Sequence, residues 1–506
     1  MRSIQRLLPT LLALILLRAS AVSAGDTTSA LWGKSGERWQ PTSRLPDFSF
    51  AGYHRGEASL PADLPVRANV RDFGATGDGK HDDTAAFRSA IAQTDAGVIA
   101  IPPGRYLLTD IIDIRKPNLV LRGAGPAKTS LYFPRFLDDV RPNMGHTTTG
   151  EATSNYSWSG GFIWVRGDYA SRDLAAITAP AQRGDSMLSL SSTSALKVGQ
   201  EIEIRQDDDP QNSLATYLYA GDPGPLKQLK GKTHVSLTTC IRSVTGDRIT
   251  FDRPLRWDVQ PRWHPRICRF EPTVTEVGIE GVRFEFPIIP YAGHFTEKGH
   301  NAIALTDVAN CWVRDIVIDH CDSGIFVGGR YCTVQDAVYH SDRTPDKQKC
   351  TGHHGFEISG DDNCFTRFRY ETRFIHDITV EHAAGNVISA GSGIDLSLDH
   401  HKYASHANLF TDLDAGAGTR LWMCGGGADL GRNSGAWETF WNIRAQKPQS
   451  WPPATFAPDL INLVGVNSNQ PTTTSPTGKW FEAIPPANLT PQNLHQSQLQ
   501  HRIGKP

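Results

Sequence analysis

The sequence has almost no surplus of charge of either sign. Lys and Arg number 51 against 53 Asp and Glu, a net of −2 over 506 residues. That balance excludes a polycation that holds nucleic acid by general counterion release. No long apolar run occurs beyond the N-terminus, so no membrane span is expected in the body of the chain. The eight cysteines (240, 268, 311, 321, 332, 350, 364 and 424) include no C-x-x-C pair, which argues against a thiolate zinc site or a thioredoxin-like redox motif. Other signatures fail as well. Gly231-Lys232-Thr233 has Leu226 where a P-loop needs glycine, no G-x-S-x-G elbow or H-E-x-x-H occurs, and the Gly425–Gly431 run follows no dinucleotide-fold strand.

What is there belongs to a folded, turn-rich protein. The hydrophobic set makes up 39% and charged residues 21%, an ordinary globular balance. Glycine (46) and proline (32) together slightly exceed the usual share, which points to many turns between short elements. Met1–Ala24 reads as a secretory leader: Arg2 and Arg6 precede the apolar Leu7–Leu17, and Val22-Ser23-Ala24 supplies a small-residue cleavage site. A secreted or periplasmic location follows. An even cysteine count permits disulfides there, although a chain this long can build its core without them, and buried free thiols fit equally.

The pattern along the chain is that of a solenoid. Asp82 or Asp83 is a credible N-cap for a helix of about three turns carrying Ala85, Phe87 and Ile91. From residue 277 onward short strand candidates succeed one another, among them Val277–Phe286, Trp312–Ile318, Thr333–Tyr339, Gly355–Ser359, Ile375–Val380 and Leu409–Leu413. One internal echo is explicit: Cys311-x-Val313-x-Asp315-x-Val317 returns as Cys332-x-Val334-x-Asp336-x-Val338. A β-sandwich has no reason to repeat a four-position pattern at coil length, whereas stacked coils do.

The stretch Val70-Arg71-Asp72-Phe73-Gly74-Ala75 to Asp78-Gly79, followed by Asp82-Asp83-Thr84-Ala85-Ala86-Phe87, resembles the opening motif of the pectate-lyase-like superfamily. The resemblance implies an all-β, right-handed parallel β-helix with an N-terminal capping helix. It also implies an exported carbohydrate-active enzyme whose groove holds several sugar units. Superfamily members depolymerise polysaccharides by β-elimination or hydrolysis, and phage tailspikes and polymer epimerases share the architecture. On this basis residues 1–24 are the leader, 25–65 an N-terminal arm, and 66–445 the catalytic β-helix, with 185–260 as an elaborated loop or insertion. Residues 446–506 form a C-terminal tail. A monomer acting on a polysaccharide is expected.

For hydrolysis, Ser359-Gly360-Asp361-Asp362 and Gly352-His353-His354-Gly355 echo polygalacturonase pieces in the wrong order, and Asp361, Asp362, Asp395 and Asp399 are the available carboxylates. For elimination, Val317-Ile318-Asp319-His320 faintly resembles a pectate lyase box, but Gln348 stands where its arginine is expected. Histidine is the dominant signal. Eight of 18 fall between His340 and His406 (the others are His353, His354, His376, His382, His400 and His401), alongside Arg367, Arg369, Arg373 and Lys402. Imidazole suits acid–base work near neutral pH, and guanidinium grips a carboxylate in a bidentate fork.

The reading that results is a secreted enzyme cleaving an acidic, uronic-acid-containing polysaccharide by β-elimination. His354 or His400 is the base, Arg373 neutralises the carboxylate, and His353 or Lys402 assists. Arg369, His376, Arg420 and Trp422 bind sugar. Asp361 and Asp362 are candidate metal ligands, and Asp207-Asp208-Asp209 an alternative calcium loop. A zinc site from His400, His401 and His406 lacks familiar spacing. The alternatives are a glycoside hydrolase using paired aspartates and a non-catalytic glycan-binding solenoid.

Overall fold

The computed structural model describes residues 27–504, so the Met1–Ala24 leader lies outside the described residues. The chain winds between two parallel sheets. The longer, of 16 strands, runs from Val66–Asn69 through Gly97–Ile101, Leu119–Gly123, Gly278–Glu285, Trp312–Asp319, Thr333–His340, Cys364–Tyr370, Val387–Gly393, Leu409–Asp414 and Thr439–Arg444. The shorter, of seven, includes Asn301–Ala309, Ser323–Arg330, Gly352–Ile358, Phe374–Val380 and Leu398–His400. Between Gly278 and Asp414 successive strands alternate between the two sheets, one to each per coil, which makes the molecule a right-handed parallel β-helix. Past residue 445, a stretch whose composition reads as tail, Asn462–Val466 and Trp480–Glu482 go on stacking in the long sheet because Leu463, Val464, Val466 and Phe481 still supply core.

The repeated cysteine motif is a register match. Trp312 pairs with Thr333 and Val313 with Val334, so the two motifs lie directly on each other one coil apart. Cys311 and Cys332 are both buried, and all eight thiols are free. The repeated aspartates have a backbone reason. Asp315 and Asp336 adopt left-handed φ values of 52° and 55°, and the paired registers continue that column through Gly281, Arg367, Ala390, Asp412, Asn442 and Gly465, all at positive φ. Gly, Asn and Asp tolerate this conformation best, which is why they recur at that corner.

Inside, aromatic rings stack within a coil, Phe356 on Phe365 at 3.9 Å and Phe365 on Phe368 at 4.0 Å, and between coils, Tyr339 on Tyr370 at 4.3 Å. At one corner buried asparagines form a ladder. Asn363 donates to Asn386 Oδ1 (3.1 Å), Asn386 to Asn408 Oδ1 (3.0 Å), and Asn408 to Glu438 Oε1 (2.8 Å). The helix Thr84–Gln93 packs Phe87, Ala90 and Ile91 into the core at the N-terminal end of the stack. Asp82 accepts from Thr84 N and Oγ1 at its start, while Asp83 turns back to Thr76 and Gly77.

Residues 173–269 interrupt the solenoid with a six-stranded antiparallel sheet that has its own core of Ile202, Ile204, Leu237, Ile249, Trp257 and Trp263. It is bolted to the coils by charge. Asp362 accepts from Arg253 at 2.8 and 3.0 Å and also from Arg256, all three side chains being buried, and Arg330 reaches Glu203 at 2.6 Å.

Candidate active site

Strand parity separates His400 from His401. Ile378, Val380, Leu396 and Leu398 belong to the core, so Thr379 and Asp399 lie on the outer face of the short sheet. His400, next in line after Asp399, points inward. Its ring sits among Phe410, Phe440 and Phe456 (4.9–5.8 Å between centroids), with Nδ1 3.0 Å from Leu398 O. The expectation that His400 acts as base is therefore overturned by simple alternation. His401 returns to the outer face beside Asp399.

The outer face carries a cavity of about 440 Å³. Its wall is built from His353, His354 and Glu357 on one coil, His376 and Glu381 on the next, and His401 on the third. Loops supply the rest: His146–Thr148 and Trp158 on one side, His294 and Phe295 above, and Tyr403 with Gly425–Gly427 at the edge. The imidazoles touch. His353 lies 4.1 Å from His354 and 4.4 Å from His294, and His354 lies 5.0 Å from His376, between ring centroids.

Asp399 organises them. It has no exposed surface and takes His401 Nδ1 at 2.8 Å, His376 Nδ1 at 3.1 Å and the Gly425 amide at 2.7 Å. Gly425 is required by this approach, since a Cβ there would fall 2.6 Å from His401 Cε1 and 2.7 Å from His376 Cε1. His354 is fixed differently, with Nδ1 3.1 Å from Thr379 Oγ1 and 3.3 Å from Glu357 Oε2.

Burial and neighbouring charge separate the titration of these rings. Burial disfavours a charged His401, but Asp399, Glu381 and Glu357 outweigh it and push the group up to about 9. Burial, reinforced by the other imidazoles, holds His353 and His354 well below the ordinary histidine range and takes His294 down to about 4. Burial raises Glu357 and Glu381 above the usual carboxylate range, whereas His376 and His401 overcome burial to hold Asp399 well below it. Groups driven apart in this way are those suited to opposite proton-transfer roles.

The other sequence candidates are dispersed. His353, His354 and His376 line the cavity. Lys402 sits half-buried at its rim, its stem against Gly426. Arg373 does not line the cavity and instead pairs with Asp395 at 3.0 Å. Arg420 is buried and consumed by Asp377, Phe374 O and Asp395 O, so it has no donor for sugar. Trp422 is partly buried, packs edge-on against Phe440 and Phe456, and donates its Nε1–H to Ser450 O. Arg369 belongs to the long sheet, away from this face, and pairs with Glu371. Neither acid of the proposed calcium pair is free: Asp362 is saturated by two guanidinium groups, and Asp361 accepts from Ser236 Oγ and Ala384 N. Asp208 and Asp209 cap the Ser213–Leu218 helix, and Asp207 pairs with Arg266. His400, His401 and His406 do not converge, since His406 Nδ1 is tied to Ala404 O while His400 is internal.

Sequence reasoning missed His294, Phe295 and Trp158, which lie in loops outside the histidine-dense window. It also missed Glu357 and Glu381 as a facing pair. Parity from Leu396 and Leu398 would have selected His401 over His400. Among the described residues, no arginine or lysine lines the cavity. A second cavity of about 280 Å³ adjoins it across Tyr403 and does carry cations, Arg205 and Arg330, beside Asp361 and His382.

The family model described as rhamnogalacturonase A/epimerase, pectate lyase-like, matches residues 67–155. The likeness to that family is confined to this N-terminal stretch of the chain. This β-helix is 34% identical over 100 residues to alginate lyase 7 of Azotobacter vinelandii, covering 18% of the chain and 12% of that protein. It is likewise 34% identical over 97 residues to mannuronan C5-epimerase AlgE4 of the same organism, covering 17% and 18%. The matches thus span less than a fifth of each relative's length. Among solved structures, it aligns with the tailspike gp49 of Pseudomonas phage LKA1 at 12% identity and TM-score 0.38, over 79% of this chain and 83% of that one. It aligns with an exopolygalacturonase of Thermotoga maritima at 14% identity and TM-score 0.35, over 79% and 80%.

Proposed function

We propose that this β-helix is an exported enzyme acting on a uronic-acid-containing polysaccharide, which it cleaves by β-elimination in the histidine-lined cavity. One observation carries the reading. His354 and His401 face the same cavity 5.9 Å apart, each with Nδ1 tied back to the protein, which leaves the other ring nitrogen for substrate. In the reaction His354 takes the C5 proton and His401 protonates the departing O4, a division of labour that general acid–base catalysis requires. Trp158 and Phe295 offer ring faces to the sugar. The neighbouring cavity, with Arg205, extends the binding surface toward a flanking uronate. The similarity to an alginate lyase and to mannuronan C5-epimerases supports a uronate substrate, since elimination and C5 inversion both begin by removing the proton at C5.

A hydrolase is the second reading, favoured by the Glu357 and Glu381 carboxylates on the same wall. The test is incubation with a panel of uronic-acid polymers, following the ultraviolet absorbance of unsaturated uronate together with reducing ends. Both signals rising, and both lost in His354→Ala and His401→Ala, is the expected result. Reducing ends alone would move the assignment to hydrolysis, and binding without either product would leave a glycan-binding solenoid.

A further inference from the structure

Elimination from a uronate needs positive charge at the sugar carboxylate, and the arginines expected to supply it are paired elsewhere. The cavity offers imidazole lone pairs in their place. His294, His353 and His376 each present a ring nitrogen, and the three nitrogens lie within 4.8 Å of one another. Two of these rings are buried with a nitrogen that has no partner: Nδ1 of His353, 3.7 Å from Glu297 Oε1 and so beyond hydrogen-bond range, and Nε2 of His376. Asp399 favours the tautomer of His376 that carries its proton on Nδ1. In that form Nδ1–H donates to Asp399, and Nε2 is a bare acceptor with nothing to accept from.

We propose that His294, His353 and His376 form a three-imidazole site for a divalent transition-metal ion of zinc's ligand preference. The fourth position opens into the cavity. Three histidines with one open position is an arrangement that zinc uses when it binds or polarises an oxygen ligand. Asp399 completes the pattern from behind, because metal-ligating histidines ordinarily donate their other ring N–H to a carboxylate. Metal–nitrogen bonds of about 2.0–2.1 Å require the three nitrogens to draw closer together, and His294, in an exposed loop, is the least enclosed of the three. The ion's role, gripping the uronate carboxylate through the open position, rests on the lyase reading. Its binding does not.

The experiment uses the full chain without a polyhistidine tag, stripped by chelator and titrated with Co²⁺ and Zn²⁺. The expected result is one equivalent per chain by elemental analysis, with visible absorption bands of low-coordinate Co²⁺ and a rise in Tm on adding Zn²⁺. All three are lost in His353→Ala and His376→Ala, while His234→Ala, in the adjoining cavity, keeps them. Should either histidine variant fail to fold, Asp399→Asn retains all three ligands and weakens binding by roughly 10–100-fold. Substoichiometric binding, or binding that these variants leave unchanged, overturns the site. Uronate cleavage by a stripped protein that takes up no metal overturns the site and keeps the lyase. One tightly bound equivalent without cleavage of any uronic polymer keeps the site and removes the lyase.

Discussion

Asp399 and His401 form a 2.8 Å hydrogen bond in which the carboxylate has no exposed surface and the imidazole reaches the cavity. The same carboxylate holds His376, so one side chain fixes two rings. Asp399→Asn keeps the volume but loses the charge and presents an amide whose N–H cannot accept from both rings. Cleavage is expected to fall by roughly 100-fold or more, the range of a lost acid–base component, with circular dichroism unchanged. A variant that retains full kcat would remove Asp399 from the chemistry.

His400 and His401 provide the opposite contrast. His401→Ala is expected to abolish cleavage. His400→Phe extends an existing aromatic cluster and leaves the reaction intact, at a stability cost of about 1–3 kcal/mol from leaving Leu398 O without its Nδ1 partner. Steady-state kinetics beside urea unfolding separates the two effects, and a loss of activity in folded His400→Phe would reverse the assignment.

Within the column of left-handed residues, Ala390 is the member that gains least from its conformation, at φ 50°. Ala390→Gly relieves a backbone penalty of about 1–2 kcal/mol while adding about 0.5–1 kcal/mol of unfolded-state entropy cost. A net stabilisation of roughly 0.5–1 kcal/mol is expected in chemical denaturation. The reciprocal change, Gly281→Ala, brings a Cβ to 2.9 Å from Gly123 O and lowers stability.

Removing Asp362 leaves Arg253 and Arg256 buried without a counter-charge. Asp362→Ala is expected to cost about 3–5 kcal/mol and to loosen the antiparallel sheet from the coils. Limited proteolysis should then cut first within residues 173–269, and an unchanged digestion pattern would count against the clamp.

His300, His406 and His495 are buried, and burial brings each down to about 4. Their unfolded-state value is higher, near the ordinary 6.5, so the unfolded chain binds protons first as pH falls. Their contribution is complete above about pH 6.5 and is lost progressively toward pH 4. The urea midpoint should drop steeply over that window, and His495→Gln should make the drop smaller. A midpoint flat from pH 7 to 4.5 would contradict it.

The fold was legible because solenoid signals are local. The opening motif occupies a single short stretch, and the Cys311 and Cys332 motifs lie one coil apart, so sequence spacing and spatial stacking coincide. The site was legible only in part. Histidine density located four of the cavity's rings, His353, His354, His376 and His401, but charge pairing across coils was invisible: Arg420 is spent on Asp377, 43 residues away in sequence. His294 sits in a loop without periodicity, and no pattern there signals that it folds over His353.

The asparagine ladder has a consequence for how such a chain can lengthen. Its rungs are separated by 23, 22 and 30 residues, yet each amide meets the next at nearly the same distance. The ladder counts turns of the solenoid and is indifferent to how many residues a turn contains. Extra residues can enter at the other corners without disturbing the axis, and a whole coil can be duplicated provided it brings its own amide. The walls of the cavity are therefore free to change in length and sequence while the floor beneath them keeps its register.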